Sequence, residues 1–327
     1  MRSIKSRLSF AAVIFFFSVH FVFAEVHPTH PVTIALPNAV GVMGDSISEA
    51  MLVEFSLEHP PTTKQLIKMM KRTEDSEDKT IENFRHHYAK PHHSWATGDD
   101  HTDMVQSHFE RIASLKSGVQ SYNFSVSGSR VVDLIPQADE LLATEARDNV
   151  VIDYILILIG ANDLKREKIE EVTTPMAYEA GIEAQLRKIL TKNPHRSILL
   201  VGLPDIHEVF ELSNNLKVMK ILTKTYRCKE VRETIYGDSV IFNKNNIESY
   251  EASKMIKKMY EQANDSIALK LSAEFPQANL RSIKDYRSPA KVVKTLATDC
   301  FHPSLWGQAI ISEVTWGLSF WGDLTPP

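Results

Sequence analysis

Tyr154-Ile155-Leu156-Ile157-Leu158-Ile159 is an unbroken apolar run, and Gly160-Ala161-Asn162-Asp163 follows it without a gap. A strand with one wet face alternates apolar and polar residues, so six apolar residues in a row predict a strand covered on both faces. Residues 197–201 repeat the pattern, and 39–43, 121–126 and 279–283 supply three shorter strand candidates. Helical patterns run over 131–146, 177–192 and 250–273, and a helix-like segment follows Ser46. Alternating strand and helix predicts an α/β fold with a mainly parallel sheet.

Sheets of this kind bind ligands outside the carboxyl ends of their strands. Three loops here follow strand candidates: Gly44-Asp45-Ser46, Ser127-Gly128 and Gly160-Ala161-Asn162-Asp163. The topology therefore brings them to one edge, although they are far apart in sequence. Near the other end of the chain stands Asp299-Cys300-Phe301-His302-Pro303.

Each block alone has a plain structural reading. Gly-Asp-Ser is an ordinary turn, Gly128 a tight strand-to-helix turn, Asn162 a turn or helix cap, and Asp-x-x-His a solvated surface pair. Together they describe a reaction centre. A serine hydroxyl needs a neighbouring base, and that base needs a third group to fix its tautomer; Ser46, His302 and Asp299 fill those places. Ser46 N–H, Gly128 N–H and the Asn162 amide are uncharged donors suited to a developing oxyanion. Position 48 is Ser, so the Gly-x-Ser-x-Gly elbow of the α/β-hydrolases is absent here.

Gly44-Asp45-Ser46-Ile47, Gly128 within Asn123-Phe124-Ser125-Val126-Ser127-Gly128, Gly160-Ala161-Asn162-Asp163 and Asp299-x-x-His302 resemble, in order, the four blocks of the SGNH, or GDSL, hydrolases. The resemblance is nearest to their phospholipase B-like branch, through Ser94-Trp95-Ala96-Thr97-Gly98 and Asp299-Cys300-Phe301-His302-Pro303-Ser304. It implies a flavodoxin-like three-layer α/β/α sandwich with a five-stranded sheet. Ser46 is then the nucleophile, His302 the general base and acid, Asp299 its orienter, and Ser46, Gly128 and Asn162 the oxyanion hole. Ester hydrolysis through an acyl-enzyme follows, with no metal or organic cofactor and with an acyl-ester lipid as substrate. Ile47 stands where the family usually has Leu, and Thr97 and Asp99-Asp100 also depart from the branch. Asp163 reads as a support for its loop.

The length of 327 residues, 43% hydrophobic and 24% charged, fits a soluble globular chain with a sizeable core. A net charge of −4 gives no basic excess for nucleic acid, and nothing points to an obligate protein partner. Residues 1–24 read as a signal peptide: a basic start, an apolar run and Val22-Phe23-Ala24 before the cleavage point. That predicts a secreted or periplasmic protein, with 25–327 a single domain. In an oxidising compartment Cys228 and Cys300 are expected to pair, closing a loop of about 70 residues worth at most roughly 4 kcal/mol.

The polar stretch 73–103 reads as a flap-like insertion leaving the sheet. His86-His87 and His92-His93 within it match no standard metal site and read as a solvated loop. Trp306, Trp316 and Trp321 are suited to a transient lipid-interface contact, though packing of the last helix is the preferred reading. Asn264-Asp265-Ser266 fits a glycosylation acceptor; Asn123 fits one too but falls in a strand candidate.

Overall fold

In the computed structural model, residues 34–55, 88–214, 237, 239–243, 245–284 and 293–324 are described. The expected leader 1–24, Cys228 and the His86-His87 pair lie outside them. Five strands form one sheet: β1 (Ala39–Gly44), β2 (Gln120–Asn123), β3 (Tyr154–Leu158), β4 (Ser197–Val201) and β5 (Asn279–Ile283). Their order is β2-β1-β3-β4-β5, and every pairing is parallel. All residues of β1, β3 and β4 are buried, the outcome expected of unbroken apolar runs in the middle of a sheet. β2, at the edge, is only partly covered. Its ladder continues past Asn123 through Phe124 N–H to Val42 and Val126 N–H to Gly44, which is why the sequence pattern runs further than the strand.

The crossovers are helical: α1 (His108–Leu115), α2 (Leu134–Asp148), α3 (Ala161–Leu164), α4 (Pro175–Lys192), α5 (Ile206–Asn214), α6 (Ile247–Glu274) and α7 (Leu305–Gly317). Their starts follow capping chemistry. Ser107 and Glu110 form a reciprocal capping box on α1, Thr174 with Pro175 opens α4, Asn246 caps α6 and Ser304 caps α7. Residues 131–133, read as the first turn of a helix, are a 3-10 turn ahead of α2.

Strands buried on both faces need cover on both. α4 packs against both α2 and α6, with Tyr178 and Tyr260 stacked 4.0 Å apart between α4 and α6. Elsewhere His108 of α1 bridges Tyr154 Oη of β3 and Thr315 Oγ1 of α7, at 2.9 and 2.8 Å. Trp95, Trp316 and Trp321 close around these groups, and burial depresses the His108 pKa to about 3, so this imidazole is a neutral core residue. Trp316 and Trp321 therefore serve packing, while Trp306 stands half exposed.

Two sequence expectations change. Of the 73–103 stretch, 73–87 lie outside the described residues, but Ser94 to Thr97 do not stand off the sheet. Trp95 is fully buried, and its backbone N–H and indole N–H are both bonded to the core. Polar neighbours hid one large apolar anchor. Asn264 is also buried, within α6, so the glycosylation expectation there is withdrawn.

A buried ion pair ties three elements at the end of the sheet away from the loops. Arg196, 1% exposed at its side chain, donates to both Glu145 carboxylate oxygens at 2.6 and 2.9 Å and to the Ile152 carbonyl. Glu145 also accepts from Ile152 N–H, so α2, β3 and β4 share one charge pair. Breaking such a pair from one side strands a charge. Arg196→Ala is expected to lower unfolding free energy by roughly 3–5 kcal/mol in urea titration. A loss below ~1 kcal/mol would show that the pair is not acting as a buried clamp.

Candidate active site

β1 ends at Gly44, where a β-carbon would come within 2.5 Å of the Leu158 carbonyl, so only glycine lets β1 and β3 lie this close. The chain then turns sharply. Ser48 and Glu49 N–H donate to Asp45 O, and Met51 N–H donates to Ser46 O. The sequence reads as helical after Ser46, but Ala50 and Leu52 adopt left-handed backbone at φ 53° and 59°, and the segment is a run of turns. Leu52 N–H reaches instead to Tyr88 O, and Met51 and Leu52 pack on Ala297.

Ala297 begins the loop that carries the other half of the site. Ala297 N–H to His302 O at 2.8 Å and the bridge between Leu296 and Pro303 close a tight hairpin, with Cys300 at φ 61°. Asp299, fully buried, accepts Phe301 N–H and His302 N–H on Oδ1 at 3.1 and 3.0 Å. Its Oδ2 takes His302 Nδ1. His302 Nε2 lies 2.7 Å from Ser46 Oγ. Ser46, His302 and Asp299 thus form one continuous hydrogen-bonded chain. With Asp299 holding the Nδ1 proton, Nε2 is bare and accepts from the Ser46 hydroxyl, the polarity a general base needs.

Gly128 sits at φ 85°, in a turn held by its neighbours. Ser127 N–H and its hydroxyl both donate to Glu49 Oε2, at 2.7 and 2.5 Å, and Ser129 N–H donates to Val126 O. Asn162, in the first turn of α3, donates one amide hydrogen to Ser129 O at 2.9 Å, which leaves the second available. Among the described residues, the backbone N–H groups of Ser46 and Gly128 donate to no protein acceptor. Ser46 is buried, where a donor without a partner is costly, whereas Gly128 is exposed; an oxyanion would satisfy both. Asp163 next door supports its loop through Val131 N–H at 2.9 Å and Thr173 Oγ1 at 2.6 Å; burial raises its pKa.

Several residues that place the site carry no sequence signature. Gln137 of α2 accepts Gly44 N–H and donates to Gly44 O, while its amide also touches Ser129 Oγ. Gln308 of α7 donates to Ile47 O and accepts Trp95 N–H. The Ser48 carbonyl receives both Asn123 Nδ2 and Ser94 Oγ. A buried Gln on a helix looks like any polar surface residue in sequence. Only the Ser-Trp motif and the strand position of Asn123 offered a hint.

The family described as GDSL-like Lipase/Acylhydrolase matches residues 40–314, from β1 into α7. The chain belongs to the GDSL-like lipase/acylhydrolase family. Among solved structures, this GDSL-family chain is similar to a mutant acetyl-xylooligosaccharide esterase from Geobacillus Stearmophilus. Identity is 17% and the TM-score 0.44, with 87% of this chain and 94% of that one covered. It is also similar to a protein described as a GDSL-like lipase from Parabacteroides merdae, at 15% identity and TM-score 0.43, covering 87% and 97%. These likenesses are too distant to carry a substrate across. No curated protein matches the chain.

Around the triad lie further charges. Lys165 follows α3, its Nζ 5.6 Å from the Phe301 ring centre; burial lowers its pKa, and Asp45 and Asp299 oppose that. Among the described residues the Asp45 carboxylate accepts only Ile47 N–H, on Oδ1, while Oδ2 is buried with no hydrogen bond. Burial pushes its pKa up from 3.8 to about 6. The stability linked to this group is fully present below pH 3.8 and is lost as pH rises to about 6, because the folded state resists ionising it. Asp45→Asn keeps an acceptor for Ile47 and cannot ionise. Relative to the parent, it is expected to gain roughly 2–3 kcal/mol between pH 4 and pH 7 in urea unfolding. A difference that does not change with pH would place the Asp45 carboxyl in contact with solvent.

Proposed function

We propose that this GDSL-family protein is a serine ester hydrolase of the phospholipase B-like kind, acting on acyl esters of phospholipids or lysophospholipids. The observation that carries the chemistry is the chain Ser46 Oγ, His302 Nε2, His302 Nδ1, Asp299 Oδ2. Ser46 attacks the ester carbonyl as His302 takes its proton, and the oxyanion accepts from Ser46 N–H, Gly128 N–H and Asn162. The alkoxide leaves with the proton from His302. Water then repeats the cycle on the acyl-enzyme, with His302 again as base. An alcohol in place of water gives acyl transfer by the same steps.

An apolar recess of about 30 Å³ supports an acyl group as the bound part. It is lined by Ile47, next to the nucleophile, and Phe301, next to the base, with Ile206, Val209, Leu296 and Ile311. Its size also favours a second reading, in which the acyl group is short and the ester is that of a carbohydrate or small alcohol. The larger cavity, about 440 Å³ between the end of β5 and the turn after α7, contains no triad residue. Half-exposed Trp306, four residues past His302, is suited to a lipid surface in the first reading.

Fluorophosphonate is expected to label the wild type but not Ser46→Ala. On a mixed phospholipid extract, the wild type is expected to release free fatty acids that Ser46→Ala does not. A folded wild type that resists the label ends the catalytic reading in favour of a binding protein with this fold. Labelling with turnover of acetyl esters, but no fatty acid released, selects the short-acyl reading.

Export belongs to the same proposal: a leader cleaved after Ala24 and Cys228 joined to Cys300, securing the loop that holds Asp299 and His302. The intact mass of exported protein is then expected to fit a chain starting at Glu25 that takes up alkylating reagent only after reduction. A chain starting at Met1, or two thiols alkylated without reductant, overturns the corresponding part.

A further inference from the structure

We propose that the loop following Pro91 is a binding site for one transition-metal ion, of which zinc is the best match, built from His92, His93 and Asp100, with Asp103 against His93. The site is separate from the triad and takes no part in its chemistry. A ligand nitrogen on each histidine and an oxygen of Asp100 lie within 4.8 Å of one another. Asp99 and Asp100 N–H both return to the His92 carbonyl, at 3.0 and 3.2 Å, which folds the loop so that residues eight apart meet.

The carboxylates are oriented by their own turns. Asp100 Oδ1 accepts Thr102 N–H and Oγ1 at 3.0 and 2.6 Å, and Asp103 Oδ1 accepts Val105 N–H at 2.5 Å. Their free oxygens, both Oδ2, face the same atom: His93 Nδ1 lies 3.7 Å from Asp100 Oδ2 and 2.6 Å from Asp103 Oδ2. The Nδ1–H of the ring serves these oxygens as a donor, and a metal bound at Nδ1 would take the place of that hydrogen.

Two imidazoles and a carboxylate, with a water in the fourth position, form a set that suits zinc, with bonds of about 2.0–2.2 Å. Such bonds put neighbouring ligand atoms roughly 3.3 Å apart. His93 Nδ1 and Asp100 Oδ2, at 3.7 Å, are near that spacing, while Asp103 Oδ2, at 2.6 Å, is hydrogen-bonded directly to the ring. His92 is exposed, so its side chain is free to swing in the remaining distance. An ion here would fix the loop one residue before Ser94, whose hydroxyl donates to Ser48 O, and two before Trp95, whose indole donates to Ser48 Oγ. Its effect is therefore on the stability of the wall behind the nucleophile turn.

Isothermal titration of zinc chloride into tag-free, chelator-treated full-length protein tests this. One zinc per chain is expected, with a rise in melting temperature as zinc is added. His92→Ala and Asp100→Asn are each expected to weaken binding by at least about tenfold, while a variant with both His86 and His87 changed to Ala binds as the parent does. Circular dichroism verifies that each variant is folded; His92, being exposed, is the safer of the two. No uptake at about 100 μM zinc, or uptake unchanged in folded His92→Ala and Asp100→Asn, overturns the site.

Discussion

The nucleophile turn is held in place by side-chain amides and not by secondary structure. β1 stops at Gly44, and Ser46 stands beyond it, where no ladder fixes the backbone. Gln137 from α2 binds Gly44 through both its N–H and its carbonyl, Gln308 from α7 binds Ile47 O, and Asn123 from the end of β2 binds Ser48 O. Each bond contributes only about 1 kcal/mol net, but leaving one buried partner unsatisfied costs about 1–3 kcal/mol. The arrangement is therefore stable mainly because its alternatives are expensive. It also couples the site to both helical layers, since Gln137 and Gln308 come from helices in different packing groups.

This division explains what was legible in the sequence. The strands 154–159 and 197–201 read directly, because burial on both faces leaves runs that are apolar except for Ser197 at the start of the second. Ser46, Gly128, Asn162, Asp299 and His302 stood out because chemistry demands particular groups at strand ends. Gln137 and Gln308 did not stand out: a glutamine on a helix becomes a clamp only when the tertiary structure covers it. The turn after Ser46 read as helix because its composition permits one, whereas the observed path depends on left-handed backbone at Ala50 and Leu52 fixed by Tyr88 O and Ala297. Trp95 was lost among polar neighbours for the converse reason, since one buried indole decides the position of a stretch whose average composition suggests solvent.

Two buried carboxylates near the nucleophile show how hydrogen-bond count separates roles. Asp45 and Asp299 are both fully buried. Asp299 accepts Phe301 N–H, His302 N–H and His302 Nδ1. Among the described residues the Asp45 carboxylate accepts only Ile47 N–H, and its other oxygen has no hydrogen bond. Burial is common to both, so the difference lies in donors. Asp45 is accordingly the carboxyl that resists charge, and its work is the turn geometry that presents Ser46.

Asp299 performs that kind of work as well, which is why four residues, 299 to 302, suffice for the far half of the triad. Oδ1 binds the two backbone N–H groups that close the turn from Asp299 to His302, and Oδ2 binds the imidazole that the turn presents. Building the loop and orienting the base are one act by one carboxylate. The Phe301 ring, 5.2 Å from the imidazole and nearly perpendicular to it, restricts rotation about the remaining bond. With Nδ1 held by Asp299, Nε2 has one direction left to face, and Ser46 Oγ stands there at 2.7 Å. The spacing Asp-x-x-His thus has a physical cause: it lets one carboxylate cap its own turn and still reach the ring at the turn's end.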